Sequence, residues 1–170
     1  MSVHPILLSA LLADVVRHGP DRAAKDNNLG VGVLLADLPT DVSLPGQTTK
    51  LGLMRPPSGV IQAGLTLDMV CWPLRRKSLP LGKTALDMGR DTGNELVIPH
   101  AGMSKKHARF VLDGDAVTVL DLGSSNGTFV GQATVASAQP HPLKDRDTVR
   151  VGDMVFTFLS TPALLAILAG

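Results

Sequence analysis

Between Leu65 and Leu159 the sequence alternates short β-rich runs with turn signals, and this pattern constrains the fold most. Such alternation is typical of an antiparallel all-β sandwich. Asp113-Gly114-Asp115 and Gly152-Asp153 each predict a hairpin turn. In the last run Phe156 and Phe158 are expected to point into the core. The predicted strands are 65–74, 86–90, 95–99, 108–112, 116–122, 128–130, 133–136, 148–151 and 154–159.

A helix is predicted near the N-terminus. Residues 5–18 place Leu and Val at three- and four-residue spacing, with Pro5 in the first turn and Gly19-Pro20 at the end. Residues 20–64 are rich in Gly, Pro, Asp and Thr, and they predict loops and extended segments with one or two strands. Residues 1–64 as a whole either belong to the fold of the sandwich or cross to another chain.

A shorter helix is predicted at the C-terminus. Thr161 is the expected N-cap, Pro162 fits the first helical position, and Gly170 stops the helix. Because this helix is short, it needs a surface to pack on, which is the sandwich, the N-terminal helix or a partner chain. We therefore divide the chain into an N-terminal extension, a β-sandwich domain and a C-terminal helix, at 1–64, 65–160 and 161–170.

Composition narrows the classes of ligand. The 170 residues carry a formal net charge of +1, and only 3% are aromatic, which argues against a nucleic-acid partner. No apolar run is long enough to span a membrane. The single cysteine, Cys71, lies beside Trp72 in an apolar run and is expected to be buried, which fits a reducing, cytoplasmic location. Cys71 and the histidines lack zinc spacing, so neither a metal nor a cofactor is predicted.

Polar residues collect at the strand ends and loops of the predicted sandwich. Gly89-Arg90 closes one strand, Ser104-Lys105-Lys106-His107 leads into another, and 123–128 separates two more. Loops held by a rigid sandwich commonly carry binding residues. A guanidinium, hydroxyls and backbone N–H groups together are the chemistry that holds a phosphate.

These motifs, in this order and spacing, resemble the forkhead-associated (FHA) family over roughly residues 65–160. The resemblance implies a β-sandwich of about eleven strands that binds a phosphothreonine peptide through loops at one end. The matching blocks are Gly89-Arg90, Asn94-Glu95-Leu96-Val97-Ile98, Ser104-Lys105-Lys106-His107-Ala108-Arg109-Phe110, Asp121–Val130 and Asp147–Gly152.

The resemblance assigns a role to each site residue. Arg90 pairs with the phosphate, while the Ser104 hydroxyl, the Lys105 backbone N–H and the Ser125 hydroxyl bind its oxygens. Asn126 hydrogen-bonds the peptide backbone. Four further residues, Lys106 among them, are expected to support the site. His107 orients Ser104 and its loop, and Gly89 and Gly127 permit tight turns.

Other interpretations of these residues remain open at this stage. Arg90 also fits a surface salt bridge, and the serines and Asn126 also fit plain turn formers. The side chains of Lys105 and Lys106 either reach the phosphate or an acidic peptide residue, or they lie on solvated surface.

The sequence therefore predicts a non-enzymatic signalling adaptor, a protein–protein interaction module for phosphopeptide recognition. Its expected partner is a protein carrying phosphothreonine, such as a Ser/Thr kinase or a kinase substrate. The alternative is a phosphate-independent assembly module that forms oligomers through the sandwich or the apolar terminal helices.

Overall fold

The computed structural model describes residues 3–37, 60–61, 64–76, 79, 81–137 and 139–170. These residues form two main β-sheets, a small two-stranded sheet and three helices. The elements are β1 (Ile6–Leu7), α1 (Leu8–His18), α2 (Pro20–Asp26), β2 (Gly32–Ala36), β3 (Val60–Ile61), β4 (Leu65–Thr66), β5 (Val70–Leu74), β6 (Ala85–Gly89), β7 (Leu96–Val97), β8 (Ala108–Asp113), β9 (Ala116–Asp121), β10 (Thr128–Val130), β11 (Ala133–Thr134), β12 (His141–Pro142), β13 (Thr148–Val151), β14 (Met154–Ser160) and α3 (Thr161–Ala169).

The larger sheet has seven strands in the order β1-β5-β2-β14-β13-β10-β11, and the smaller has five in the order β12-β9-β8-β6-β7. Strands β3 and β4 form a separate pair. The pairing is antiparallel except between β6 and β7, where Met88 pairs with Leu96 and Gly89 with Val97 in parallel. The predicted sandwich with helices near both termini is confirmed, with seven and five strands in its two main sheets against about eleven expected.

The main core lies between the two large sheets. Trp72 and Phe156 meet edge to face with their ring centroids 5.6 Å apart. Phe110 of the smaller sheet also lies in this core. Phe156 and Phe158 of β14 are both buried there, so both point into the core as predicted. Burial of these large side chains supplies much of the hydrophobic stabilisation and fixes the two sheets as a rigid frame for their loops.

A second apolar cluster lies on the outer face of the larger sheet, where the three helices cover it. We call α1, α2 and α3 together the helical layer. Leu8 and Leu11 of α1 and Leu164 of α3 pack with Val33 and Cys71 of the sheet. The apolar stripes of the terminal helices are therefore buried within their own chain, against the outer face of the larger sheet.

Strand β2 is buried along its whole length because it has the main core on one face and the helical layer on the other. Leu34 points into the sandwich, whereas Val33 and Leu35 face the helices. This burial on both faces explains why the sequence there reads as an unbroken apolar run. Strands β1 and β2, which precede Leu65, thus belong to the larger sheet, while the predicted domain division at residues 64 and 65 stays a prediction.

The N-terminal prediction was wrong in its boundaries. Residues 6 and 7 are extended, because the edge of β5 offers them backbone pairing with Cys71 and Val70. Helix α1 therefore begins at Leu8 rather than at Pro5. Gly19, with a φ of 84°, ends α1 as expected, but Pro20 starts the unpredicted helix α2.

Two smaller predictions also needed correction. The N-cap of α3 is Ser160, whose hydroxyl accepts a hydrogen bond from the Ala163 N–H, and not Thr161, which donates its own hydroxyl to the Gly30 carbonyl. Strand β12 was not predicted, since its two residues His141–Pro142 pair only at the edge of the smaller sheet, against Val119 and Thr118.

The single thiol is buried as predicted. Burial against the helical layer raises the pKa of Cys71 to about 12. Within the described part of the chain, no helix has the length and apolar character needed to cross a membrane.

Candidate anion-binding site

A surface depression of about 300 Å³ lies at the loop end of the sandwich. We call the three segments around it, 89–94, 100–107 and 122–127, the site loops. All five residues that the sequence predicted to bind ligand line this depression. Its described lining contains two cations and no carboxylate: Arg90, Ala101, Gly102, Met103, Ser104, Lys105, Ser125 and Asn126.

The first two site loops are joined by backbone hydrogen bonds. The Arg90 N–H donates to the Ser104 carbonyl at 3.0 Å, so the exposed arginine is fixed at its backbone. A trans peptide group directs its C=O and N–H to opposite sides. Because the Ser104 carbonyl points to Arg90, the Lys105 N–H of the same peptide group points away from that contact. This N–H has no hydrogen-bond acceptor among the described residues.

The buried His107 ties the second loop to the third. Its Nδ1 accepts the Ser104 N–H at 3.0 Å, and its Nε2 lies 2.9 Å from the Gly127 carbonyl oxygen. Nδ1 acts as an acceptor here and Nε2 as a donor, which assigns the neutral Nε2–H tautomer. The structure thus places His107 where the sequence predicted a supporting residue, with one contact to each loop.

The third loop is held by its own polar contacts. The Ser125 N–H donates to the Ser104 hydroxyl at 3.1 Å, and the Asn126 Nδ2 donates to the Gly102 carbonyl at 2.9 Å. Both contacts cross the depression from the third loop to the second. The Ser104 hydroxyl and the Asn126 amide are consequently held in place by the protein itself.

The two predicted glycines have different local roles. Gly127 has a φ of 83°, the left-handed conformation that a tight turn requires. Gly89 does not have a positive φ; instead, a Cβ atom there would overlap the Lys105 carbonyl oxygen. The expected turn at Gly89 was therefore wrong, and close approach of the second loop explains why glycine fits this position.

Lys106 does not line the depression. Its ammonium lies 3.8 Å from the Asp87 carboxylate, which also makes a two-point contact with Arg109 at 2.6 and 3.0 Å. The guanidinium of Arg109 holds the pKa of Asp87 below its usual range although burial opposes this. Of the two lysines, only Lys105 belongs to the depression.

Sequence analysis assigned no role to Asp121, which organises the third loop. Its buried carboxylate accepts hydrogen bonds from the N–H groups of Gly123 and Ser124 and from the hydroxyls of Ser124 and Thr128. Burial alone would raise the pKa of Asp121, but the hydrogen bonds from these donors have the larger effect and lower it. The Asp121-Leu122-Gly123-Ser124 stretch was the available signal, because an Asp at the start of a Gly- and Ser-containing turn is typical of a side chain that caps its own turn.

A metal centre finds no support in the side chains that the structure describes. None of them form a group of three His, Cys, Asp or Glu residues suited to a metal ion. The lining instead offers cationic groups and hydrogen-bond donors, which suit an oxyanion.

Comparison with known proteins places these observations in a family. Residues 86–152 match the model of the FHA domain. The glycogen accumulation regulator GarA of Mycolicibacterium smegmatis is 27% identical over 149 residues, covering 81% of this chain and 92% of that protein. The transcriptional regulatory protein EmbR of Mycobacterium tuberculosis is 37% identical over 82 residues, covering 48% of this chain but 21% of EmbR.

Among solved structures, EmbR in complex with a low-affinity phosphopeptide is 23% identical and has a TM-score of 0.47. The match covers 88% of this chain and 34% of that one. The family match spans all five motif blocks in full and all five predicted ligand-binding residues. Residues 86–152 are therefore an FHA domain, as the motifs in the sequence indicate.

Proposed function

We propose that this protein is a phosphothreonine-dependent adaptor that binds phosphorylated partner proteins through its site loops. The observation that carries the proposal is the convergence of Arg90, Ser104, Lys105, Ser125 and Asn126 around one depression, whose lining among the described residues holds no carboxylate. The match of residues 86–152 to the FHA domain supports it, as does the similarity of this chain to the regulators GarA and EmbR.

Each group in the depression has a distinct part in this proposal. The Arg90 guanidinium pairs with two phosphate oxygens, and the Lys105 N–H and the Ser104 and Ser125 hydroxyls donate to the phosphate. One N–H of the Asn126 amide donates to the Gly102 carbonyl. In this proposal the second N–H donates to the peptide backbone, and the Oδ1 accepts a hydrogen bond from it. Because the loops are already ordered, binding requires little rearrangement of the protein.

The geometry of Ser104 and His107 supports binding without catalysis. A hydrolase pair needs the imidazole on the serine hydroxyl. Here Nδ1 accepts the Ser104 backbone N–H and Nε2 contacts the Gly127 carbonyl, so both ring nitrogens are engaged elsewhere. We therefore assign His107 a supporting role and propose no reaction.

The expected affinity suits a reversible switch. Charge-assisted hydrogen bonds contribute about 1.5–3 kcal/mol each. Three or four of them, less the cost of ordering a peptide, correspond to a Kd of roughly micromolar order. We propose that a Ser/Thr kinase or its substrate provides the phosphothreonine, and that the interaction takes place in the cytoplasm.

The test is a calorimetric titration with three matched degenerate peptide libraries, whose fixed central residue is phosphothreonine, phosphoserine or threonine. We expect binding to the first, weaker binding to the second and none to the third. Arg90→Ala should weaken binding about a hundredfold, because it removes a two-point charged contact. Arg22→Ala is the matched control, since Arg22 is an exposed arginine on α2 whose guanidinium lies 3.4 Å from the Asp26 carboxylate.

Equal binding to all three libraries would overturn the proposal. The same holds if Arg90→Ala and Arg22→Ala leave equal affinities for the phosphothreonine library. Both variants alter exposed side chains, so their folded fraction should match that of the wild type.

A further inference from the structure

We propose that Asn94 is a positioning residue of the phosphate site, setting the place of the Lys105 peptide relative to Arg90. This inference rests on the proposed function. Asn94 lies in the loop between β6 and β7 and is only 3% exposed, so it cannot itself contact a bound peptide.

The amide of Asn94 joins two of the site loops. Its Nδ2 donates to the Asp91 carbonyl at 2.8 Å and to the Lys105 carbonyl at 2.6 Å. The first hydrogen bond closes the loop that follows Arg90, and the second crosses to the loop that carries Ser104. Two carbonyl acceptors also fix the orientation of the amide, since the reversed amide would place oxygen against oxygen.

Asn94 is the stronger of two donors to the Lys105 carbonyl. The other donor is the Asp91 N–H at 3.3 Å, beyond the usual range for a good N–H to oxygen bond. One peptide group earlier, the Ser104 carbonyl is held by the Arg90 N–H. Asn94 and Arg90 thus fix consecutive carbonyls on either side of Lys105, and the direction of the Lys105 N–H follows from both.

The junction is too tight to tolerate a shift. A Cβ atom on Gly89 would overlap the Lys105 carbonyl and lie 2.8 Å from the Asn94 Nδ2. Strand β6, the second site loop and the Asn94 amide therefore meet at one point. A change in the Asn94 donor is transmitted to Lys105 because no free space separates them.

A purely structural role accounts poorly for an amide at this position. The Asn94 Oδ1 is buried and has no hydrogen-bond partner among the described residues, which costs stability. An apolar side chain would avoid that cost, but it would also take the Nδ2 donor away from the Asp91 and Lys105 carbonyls. What the amide supplies in return is a donor of fixed direction at the Lys105 carbonyl.

The test is Asn94→Leu, which removes the donor and the unpartnered oxygen together. We expect the thermal midpoint to fall, because a methyl group replaces an amide nitrogen that lies 2.6 Å from the Lys105 carbonyl oxygen. At a temperature where the variant is folded, the Kd for the phosphothreonine library should rise about tenfold, as expected for a misplaced hydrogen-bond donor. The matched control is Asn27→Leu. Asn27 also donates two hydrogen bonds through Nδ2, to Asp14 at 3.0 Å and Ala23 at 2.9 Å, but it lies in the helical layer.

A second readout separates positioning from general stability. In wild-type protein, inorganic phosphate should shift the Lys105 amide resonance in nitrogen–proton spectra, and this shift should shrink in Asn94→Leu but not in Asn27→Leu. If Asn94→Leu does not fold, Asn94→Ala takes its place, because alanine removes the donor without adding volume.

The outcomes distinguish this inference from the proposed function. Wild-type affinity in a folded Asn94→Leu protein would overturn the positioning role and leave the proposed function standing. Equal losses in Asn94→Leu and Asn27→Leu would also overturn it, because the effect would not depend on Lys105. A wild-type protein that binds no phosphopeptide would overturn the proposed function and this inference together.

Discussion

The site loops and the helical layer are held to the sandwich by different interactions. In the site loops the buried side chains His107, Asp121 and Asn94 hold the backbone through hydrogen bonds. In the helical layer Leu8 and Leu11 are buried in an apolar cluster. Hydrogen bonds fix direction, whereas apolar packing contributes free energy without directing a particular atom. Binding and stability should therefore respond to different mutations in this molecule.

The largest expected effect is on stability, from Leu11→Ala in the helical layer. Leu11 is fully buried, so its truncation should lower the free energy of unfolding by about 2–5 kcal/mol. Phosphopeptide affinity should stay within about twofold of wild type under conditions where the variant is folded. Chemical denaturation and calorimetry measure the two quantities. A large loss of affinity in the folded variant would show that the two regions are coupled.

His107→Ala should affect both quantities, because His107 is buried and also joins two site loops. It removes two hydrogen bonds and leaves a cavity, so we expect a loss of about 2–4 kcal/mol of stability. Affinity should fall roughly tenfold as Ser104 loses its orientation. His18→Ala, at the exposed end of α1, is the control. Unchanged affinity in folded His107→Ala would contradict the supporting role.

The pH dependence of stability should report on Asp121. Its pKa is lowered in the folded state, so its contribution is present above the unfolded pKa and is lost as pH falls through the folded pKa. Asp121→Asn should cost about 2 kcal/mol at neutral pH, and the gap to wild type should close on acidification below pH of about 4.

Urea denaturation at a series of pH values measures this gap. Asp87 and Asp153 also have lowered pKa values, but both remain in the variant, so their effects cancel in the comparison. Asp113→Asn in the exposed β8–β9 hairpin is the control. A gap that is constant with pH would show that the charge of Asp121 contributes nothing.

The smallest effect is expected for Val16→Asp on the outer face of the helical layer. Val16 is 77% exposed, so the free energy of unfolding should change by less than about 0.5 kcal/mol. Light scattering should give the same mass for variant and wild type at every concentration. A concentration-dependent mass that only the wild type shows would favour the alternative of an assembly module.

The sequence predicted the sandwich better than its edges. From Leu65 onward, strands with an alternating pattern and intervening turns were found close to their predicted positions, because burial on one face imposes a period of two. Ile6 and Leu7 were misassigned because their side chains continue the apolar stripe of α1. Their extended state depends on the edge of β5, which is distant in the sequence.

In the candidate site, too, the features set by local sequence were predictable, and the contacts between distant segments were not. Arg90, Ser104, Lys105, Ser125 and Asn126 were predicted as a group because their motif fixes their spacing, and they line one depression. The partner of Lys106 was not predictable, because Asp87 comes close to it only through the register of β6 against β8. The contacts of Asn94 likewise depend on a loop eleven residues away, which local patterns do not encode.

The buried thiol of Cys71 can be used as a chemical probe of how often the helical layer opens. The thiol lies beneath the helical layer and has a pKa of about 12, so the native state holds it as an unreactive thiol. An alkylating reagent can reach it only in molecules whose helices have lifted from the sheet. The rate at which Cys71 is alkylated therefore reports how often the helical layer opens. The depression is lined by residues of the site loops and not of the helices, so a peptide bound there should leave the labelling rate unchanged as long as the openings are confined to the helical layer.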